Sequence, residues 1–504
     1  MLMKPNEKLS DEKLIDEPFE KPLEKNDLLR LSPAARAALW PRVFDAIEKY
    51  FSEVPSLPVA PQIDAAALRA MVARFDFADP VDSSSALAFA LDGLTNYQTH
   101  TPHPRYFGLF NPSATTMGVV ADALEAAFNT QAGAWHHSAF AVEVEQHLLR
   151  AFAARFGFDP AATEGTFTSG GTEANQTALL VAITHAFPDF AAGGVRSLAA
   201  VPVFYVSAES HHSLHRAASV SGLGHAAVRE ISVDEQLRMK VSALESQIAA
   251  DRRAGHTPFL IVATAGTTSA GAIDPLPAIA DLAAREKLWL HVDAAWGGAA
   301  ALVPELRPLL AGIERADSIT FDPHKWLSVP MGAGMYLNRH PGLLEKTFSV
   351  DAAYVPRSAE NLVADAYTST MQWSRRFIGL KLFLSLAVAG WEGYAAALRH
   401  MIEMANLLRA ELDVAGWQVL YPTPLPLVCF VDRKDSRGKS AEFLEGIARR
   451  VVSSGAAWIS TTRVGPGTPL LRACITNFLT GPDDVRALVA ALDAARAQDS
   501  AASE

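Results

Sequence analysis

Lys325 is the residue of this chain best suited to covalent chemistry. It lies in Ser318-Ile319-Thr320-Phe321-Asp322-Pro323-His324-Lys325-Trp326-Leu327, where Ile319 and Phe321 alternate as in a strand and Pro323 ends the ladder. The lysine is thus expected on a turn, between an imidazole and an indole. Partial desolvation there would lower its ammonium pKa and free neutral amine to form a Schiff base with an aldehyde. Upstream, Leu288-Trp289-Leu290-His291-Val292-Asp293-Ala294-Ala295-Trp296-Gly297-Gly298 reads as a second short apolar strand with a carboxylate at its end and small residues beyond. Ligands of α/β sheets sit outside the carboxyl ends of the strands, so Asp293 and Lys325 are expected to open into one crevice.

Other segments carry chemistry that this crevice could use. Thr166-Phe167-Thr168-Ser169-Gly170-Gly171-Thr172-Glu173-Ala174-Asn175 leads into a helical run through Ile183. Its glycines allow a tight turn and close approach, and the free N–H groups of a helix start form a phosphate seat. The strand Val201–Ser207 delivers the histidines of Ser210-His211-His212-Ser213-Leu214-His215-Arg216. A buried strand, Pro258–Thr264, ends at Thr264-Ala265-Gly266-Thr267-Thr268. The prolines of Thr101–Pro112 forbid a regular helix, and its aromatics suit an apolar wall or a buried loop. Trp135-His136-His137 is not expected to hold a metal, because neighbouring side chains diverge and no carboxylate completes a ligand set.

Taken in order, the TSGGTEAN segment, the ATAGTT turn, HVDAAWGG and DPHKWL resemble the group II pyridoxal-phosphate-dependent amino-acid decarboxylases. That family includes the aromatic amino-acid and glutamate decarboxylases, and the likeness covers residues 100 to 480 or so. The resemblance implies an α/β protein of pyridoxal-phosphate transferase fold type I, aspartate-aminotransferase-like. Its large domain would hold a mainly parallel sheet and its smaller C-terminal domain would be α+β. It implies pyridoxal 5'-phosphate as cofactor, carried by Lys325, with Asp293 on the ring nitrogen and His211, not His212, stacked on the ring. Gly171 and Thr172 would bind the phosphate, and Ala295 and Ser374 would also contact the cofactor. Thr264 either lies near the cofactor or satisfies the turn backbone. His324 either touches phosphate or substrate or makes a structural hydrogen bond. His103, Phe110 and Trp135 would line the substrate end, and Tyr354 would protonate Cα, favouring amine over aldehyde.

The family's homodimer is expected too, with an N-terminal helical segment on the partner subunit. Arginine follows leucine at Leu471-Arg472 in aromatic and glutamate types alike, so it does not discriminate between them. Leu109 stands where glutamate types carry an amide and aromatic types an aromatic, and Gly133 also departs from the aromatic wall. Burying an acid without a partner is costly, so a bulky or aromatic L-amino acid is expected ahead of an acidic one. A decarboxylating aldehyde synthase, an aminotransferase and an idle pyridoxal-fold protein are the further alternatives. Asp322, where many relatives have asparagine, would repel phosphate and is not expected to bind it.

Composition sets the wider frame. The 504 residues are 49% hydrophobic and 20% charged, which is ample for a large core. A balance of 44 basic against 55 acidic residues, −11 overall, argues against nucleic acid or anionic membrane as partner. Two cysteines, Cys429 and Cys474, make no disulfide framework. Lys4, Glu7, Lys8 and Asp11 interrupt any apolar leader, and Lys381 and Glu392 interrupt the most apolar helix, Leu380–Leu398, so a cytoplasmic enzyme is expected. Residues 1–30 read as a mobile extension and 31–115 as a helical segment, with Ser32 capping and Pro33 at the first helical position. The large domain is expected over 116–383, and the small domain over 384–504. Ser374-Arg375-Arg376 is expected to open the long apolar helix. Strands are expected at Leu427–Val431, Ala457–Ser460 and Leu470–Ile475, and a last helix from Pro482.

Overall fold

The computed structural model describes residues 29–350 and 365–503. All but the last two residues of the expected extension, and Tyr354 with its loop, lie outside the described residues. The chain divides into compact units Met1–His100 and Thr101–Glu504.

In the first unit α1 (Pro33–Glu53) starts where its sequence dictates. Ser32 Oγ accepts the Ala35 N–H at 3.1 Å, and Pro33, which lacks a donor, fills the first turn. Aspartates cap α2 (Ala65–Val72) and α3 (Ser83–Asn96) in the same way, Asp64 and Asp82 each accepting two N–H groups. α1 buries none of its residues and leaves Trp40 and Phe44 exposed.

The second unit opens with α4 (Thr116–Phe128) and α5 (Ala139–Arg155) and contains two sheets. The larger comprises β1 (Glu164–Thr168), β2 (Pro202–Ser207), β3 (Val228–Ile231), β4 (Thr257–Thr264), β5 (Trp289–Asp293), β6 (Ser318–Phe321) and β7 (Gly334–Asn338). Its order is β1-β7-β6-β5-β4-β2-β3. Strands β2 to β6 run parallel, and β7 is antiparallel to both neighbours, β6 and β1. This is the mainly parallel sheet that the resemblance implied. Leu260, Ile261, Val262 and Ala263 of β4 are all buried, the continuous apolar run of a strand covered on both faces. Register places Thr264 opposite Asp293, and Asp293 opposite Thr320, so three strands end in step.

The smaller sheet is antiparallel, in the order β10-β11-β9-β8, from β8 (Trp417–Leu420), β9 (Leu427–Asp432), β10 (Ser460–Val464) and β11 (Thr468–Cys474). The strand expected at Ala457–Ser460 is displaced, with β10 beginning at Ser460. Trp458 instead bridges Tyr106: Phe107 N donates to Trp458 O at 2.8 Å and Trp458 N to Arg105 O at 3.1 Å. The proline-rich Thr101–Pro112 segment is thereby tied to the small sheet, a long-range pairing no local pattern reveals.

The long helix runs from Leu380 to Val414, broken at Gly390, and packs on α4. It does not open at Ser374 as expected. Arg375 is drawn into a buried ion pair with Glu145 (2.6 Å) and its N–H into a bond with Gln131 Oε1, while Arg376 pairs with Glu125. These tertiary partners hold residues 374–376 out of helix. No single described helix is long and apolar enough to cross a membrane.

Candidate active site

Parallel strands put their carboxyl ends on one edge of a sheet, and there the ends of β1, β2, β4, β5 and β6 surround a cavity of about 360 Å³. β1 leads through Ser169 and Gly170 into α6 (Gly171–Ala186), whose first residues Gly171 and Thr172 line the cavity. His211 follows β2, Thr264 ends β4, Asp293 ends β5 with Ala295 just beyond, and His324 and Lys325 follow β6. These expected residues are thus brought together. A Cβ at Gly171 would stand 2.7 Å from Asp322 Oδ2, and one at Gly297 would collide with the Ala265 carbonyl oxygen. Both glycines are needed for close approach.

A buried chain of hydrogen bonds runs into Asp293. Trp289 Nε1 donates to Ser318 Oγ (2.9 Å), Ser318 Oγ lies 2.8 Å from His291 Nδ1, and His291 Nε2 lies 3.2 Å from Asn175 Oδ1. Asn175 Nδ2 then donates to Asp293 Oδ2 at 2.8 Å and to Ser213 Oγ at 2.9 Å. Burial pushes the His291 pKa down to about 4, so the imidazole is neutral with one N–H. Since the Asn175 amide nitrogen faces two acceptors, its oxygen must accept, which puts the imidazole proton on Nε2 and leaves Nδ1 to accept from Ser318. Every donor in the chain therefore points toward Asp293. The Ala295 N–H completes its shell at 3.1 Å from Oδ1, and the carboxylate serves as acceptor only.

Sequence reasoning missed Asn175. A signal was available: asparagine is a poor residue for a helix interior, and this one lies one turn after Gly171, on the face of the phosphate seat.

Lys325 Nζ lies 2.9 Å from Asp322 Oδ2, and the same oxygen accepts the Gly171 N–H at 2.9 Å. His324 Nδ1 accepts the Ala333 N–H at 3.0 Å, so its proton sits on Nε2, 3.9 Å from Asp322 Oδ2. Burial holds the His324 pKa below its ordinary value, outweighing the pull of Asp322. His211 Nδ1 accepts the Ser213 N–H at 3.2 Å, leaving Nε2 as donor toward the cavity. Its ring stays open to that space, yet the enclosing protein lowers its pKa by desolvation, against the opposing charge of Asp293. His212 does not line the cavity; its ring faces His215, 6.3 Å between centroids. His211→Ala is accordingly expected to cut turnover about a hundredfold or more, and His212→Ala to leave it within about twofold. Steady-state rates on the two variants check this, and equal effects would reverse the choice.

Four expected residues stand outside the cavity lining. Phe110 is buried behind Trp296, stacked on it at 4.6 Å, and it is Trp296 that faces the cavity. His103 is fully buried, its Nδ1 accepting the Arg105 N–H at 2.9 Å. Trp135 donates from Nε1 to Glu143 (3.0 Å) and from its backbone to Asp365 (2.9 Å). Ser374 is exposed on the segment held by Arg375 and Arg376. Met331, Gly266 and Thr268, not singled out from sequence, complete part of the wall.

A lysine, a carboxylate backed by donors, an imidazole and a helix N-terminus at one sheet edge define a class, α/β proteins that hold an aldehyde cofactor covalently. The site fits pyridoxal phosphate on its own terms. Thr264 Oγ1 and Trp296 Nε1 are buried there without a partner among the described residues, as expected of atoms that wait for a ligand. Residues 87–433 match the model of the pyridoxal-dependent decarboxylase conserved domain. The chain is 34% identical over 463 residues to an aromatic-L-amino-acid decarboxylase of Bacillus atrophaeus, covering 91% of this chain and 94% of the relative. It is 31% identical over 418 residues to a cysteine sulfinic acid decarboxylase of Rattus norvegicus, with 79% and 83% covered. The crystal structure of mouse CSAD superposes with a TM-score of 0.85 at 27% identity, covering 92% of this chain and 99% of that one. The chain belongs to the pyridoxal-dependent decarboxylases, carboxy-lyases that use pyridoxal phosphate.

Proposed function

We propose that the enzyme decarboxylates a bulky, weakly polar or aromatic L-amino acid to its amine and carbon dioxide. The carrying observation is the charge of the cavity wall. Among the described lining residues Lys325 is the one lysine or arginine, already engaged by Asp322, while Asp293 and Asp322 are both acidic. An acidic side chain would enter with no free counter-charge and meet two carboxylates. A second reading, an acidic substrate, draws support from Arg472. Its Nε and Nη1 are bound to the carbonyls of Thr268 (3.0 Å) and Gly108 (2.7 Å), but Nη2 is buried without a protein partner. A mass-spectrometric product screen of cofactor-loaded enzyme against the common L-amino acids and cysteine sulfinate separates the two. One bulky-chain amine supports the first reading, β-alanine, γ-aminobutyrate or hypotaurine the second, and keto acid alone overturns both.

Bound pyridoxal phosphate supplies the electron sink for the pair left at Cα as carbon dioxide departs. The chain's own groups do the rest. Lys325 would hold the cofactor through its side-chain amine, which the substrate amine would replace. Gly171 N–H and the Thr172 hydroxyl seat the phosphate at the start of α6, where the helix dipole favours an anion. Asp293, held as an acceptor by Asn175, keeps the ring nitrogen protonated by its adjacent negative charge. His211 would cover the cofactor ring, with Nε2–H free to donate to the substrate carboxylate. Thr264, Ala295 and His324 line the same cavity and would contact the cofactor there, His324 as a donor through Nε2–H.

Tyr354, by its place in the family pattern, returns the proton to Cα. Tyr354→Phe is expected to raise the aldehyde fraction about tenfold or more at the expense of amine. An unchanged ratio in a product assay removes Tyr354 from this role.

We also infer a homodimer in the cytoplasm. Val120, Leu124 and Phe128 recur at helical spacing on α4 and all are exposed, an apolar stripe out of place in water. α1 buries nothing of its own, and both cysteines are buried free thiols, which suits a reducing compartment. Light scattering should give twice the chain mass for the wild type and a monomer for Leu124→Glu with Phe128→Glu. A monomeric wild type would overturn the dimer.

A further inference from the structure

The cofactor-free site is not a bare anion hole. Asp322, 1% exposed, stands inside it with one carboxylate oxygen bound to two donors: the Gly171 N–H at 2.9 Å and the Lys325 ammonium at 2.9 Å. The other oxygen, Oδ1, is buried without a partner among the described residues and lies close to Gly334, where a Cβ would approach it to 2.8 Å. On the phosphate seat proposed above, both donors are groups the cofactor itself must take. Phosphate claims the Gly171 N–H, and the aldehyde carbon claims the Lys325 nitrogen. Loading the site would therefore strip Asp322 of both partners and set a bare buried carboxylate beside a phosphate.

Among the described residues nothing nearby replaces what is lost. On the same turn, His324 is kept neutral by burial and offers only Nε2–H at 3.9 Å. On α6, Glu173 is turned away, bound to the Ser169 N–H (2.8 Å) and to Gln372. Asp293 on β5 is a second negative charge, and His211 carries a lowered pKa. Lys381, on the long helix, is spent on Asp122 (3.0 Å) and the Met331 carbonyl (3.1 Å). A buried charge without a partner is expensive enough that the group changes protonation instead.

We propose that Asp322 is a proton-linked gatekeeper of cofactor binding: it holds Lys325 and the start of α6 together in the empty site, and takes up one proton from solvent as pyridoxal phosphate enters. Protonated, it turns from a repelling acceptor into an O–H donor toward a phosphate oxygen. When the cofactor leaves, the proton returns to solvent and Asp322 takes back the Gly171 N–H and Lys325. The sign follows from linkage. The loaded state binds one more proton than the empty state, so affinity falls as pH rises across the range where empty-site Asp322 is ionised.

Asp322→Asn keeps the shape, keeps an oxygen for the Gly171 N–H and supplies a donor to phosphate without titrating. It is expected to bind pyridoxal phosphate about tenfold or more tightly than the wild type at mildly alkaline pH. The wild-type dissociation constant should rise about tenfold per pH unit more steeply than that of Asp322→Asn. Calorimetric titrations in buffers of different ionisation enthalpy should register one more proton taken up by the wild type than by the variant. Inorganic phosphate titrated into Lys325→Ala removes the lysine chemistry. Proton uptake should persist there and vanish in Lys325→Ala with Asp322→Asn. Equal pH slopes and equal proton counts in wild type and Asp322→Asn would overturn the proposal. If, in that case, Thr172→Ala still weakens phosphate binding, the seat at α6 stands and only the role of Asp322 falls; if it does not, the seat falls too. Melting temperatures of the cofactor-free proteins show whether Asp322→Asn is folded, and the Lys325→Ala pair supplies the test if it is not.

Discussion

Lys325→Ala should lower decarboxylation by about four orders of magnitude or more, the loss expected when a residue that acts as a unit with its partners is removed. The argument rests on geometry as much as on residue type. Lys325 Nζ is the one amine among the described lining residues. Lys381, the next amine along this edge, is tied to Asp122 and Met331 and cannot reach across. Arginine would not serve either, since its delocalised guanidinium never deprotonates to a nucleophile. The fold should survive the change, because Asp322 keeps the Gly171 N–H and the strand ends are held by backbone register. Two measurements separate chemistry from folding. Single-turnover product formation should collapse, and the visible absorption of lysine-linked pyridoxal should be replaced by that of free aldehyde, while the melting temperature of cofactor-free protein moves by only a few degrees. Retained product formation would move the covalent role away from Lys325.

The second large effect is expected at Asp293. Asp293→Ala should cost about a thousandfold in turnover, because an electron sink works only while the ring nitrogen stays protonated, and an adjacent carboxylate in a poorly hydrated site is what keeps it so. Asp293→Asn is the sharper variant. Its one amide oxygen can still accept from either Asn175 or the Ala295 N–H, which bind different oxygens of the carboxylate, so the packing is kept while the charge and one hydrogen bond are lost. An equal loss in both variants assigns the effect to charge; a mild loss in Asp293→Asn would assign it to positioning. Asn175→Ala removes the donor behind the carboxylate and should cost less, about tenfold to a hundredfold, with a cofactor absorption spectrum whose pH dependence is shifted. Combined with Asp293→Asn it should add little, since the two act through one network. Strict additivity would show that Asn175 serves α6 alone.

Much of the site is legible in the amino-acid sequence, for local reasons. β4, β5 and β6 announce themselves as apolar runs, and Thr264, Asp293 and Lys325 stand at or just past their ends, where a parallel sheet collects its functional groups. Gly171 and Thr172 follow a strand and open a helix, and Ser32 caps α1 within a few residues of its own position.

What tertiary structure decided lies between residues far apart in the chain. The Asn175 bond to Asp293 spans 118 positions and the Gly171 bond to Asp322 spans 151; neither has a local period to betray it. Arg375 and Arg376 read as the start of a helix, yet buried acids on α4 and α5 pull them out of it. Phe110 reads as a wall residue, yet stacking on Trp296 gives that place to the tryptophan. Residue types and strand ends, which local propensity sets, determined the chemistry available to this enzyme. Which carboxylate backs which base was determined by packing, because hydrogen-bond partners are chosen by distance in space.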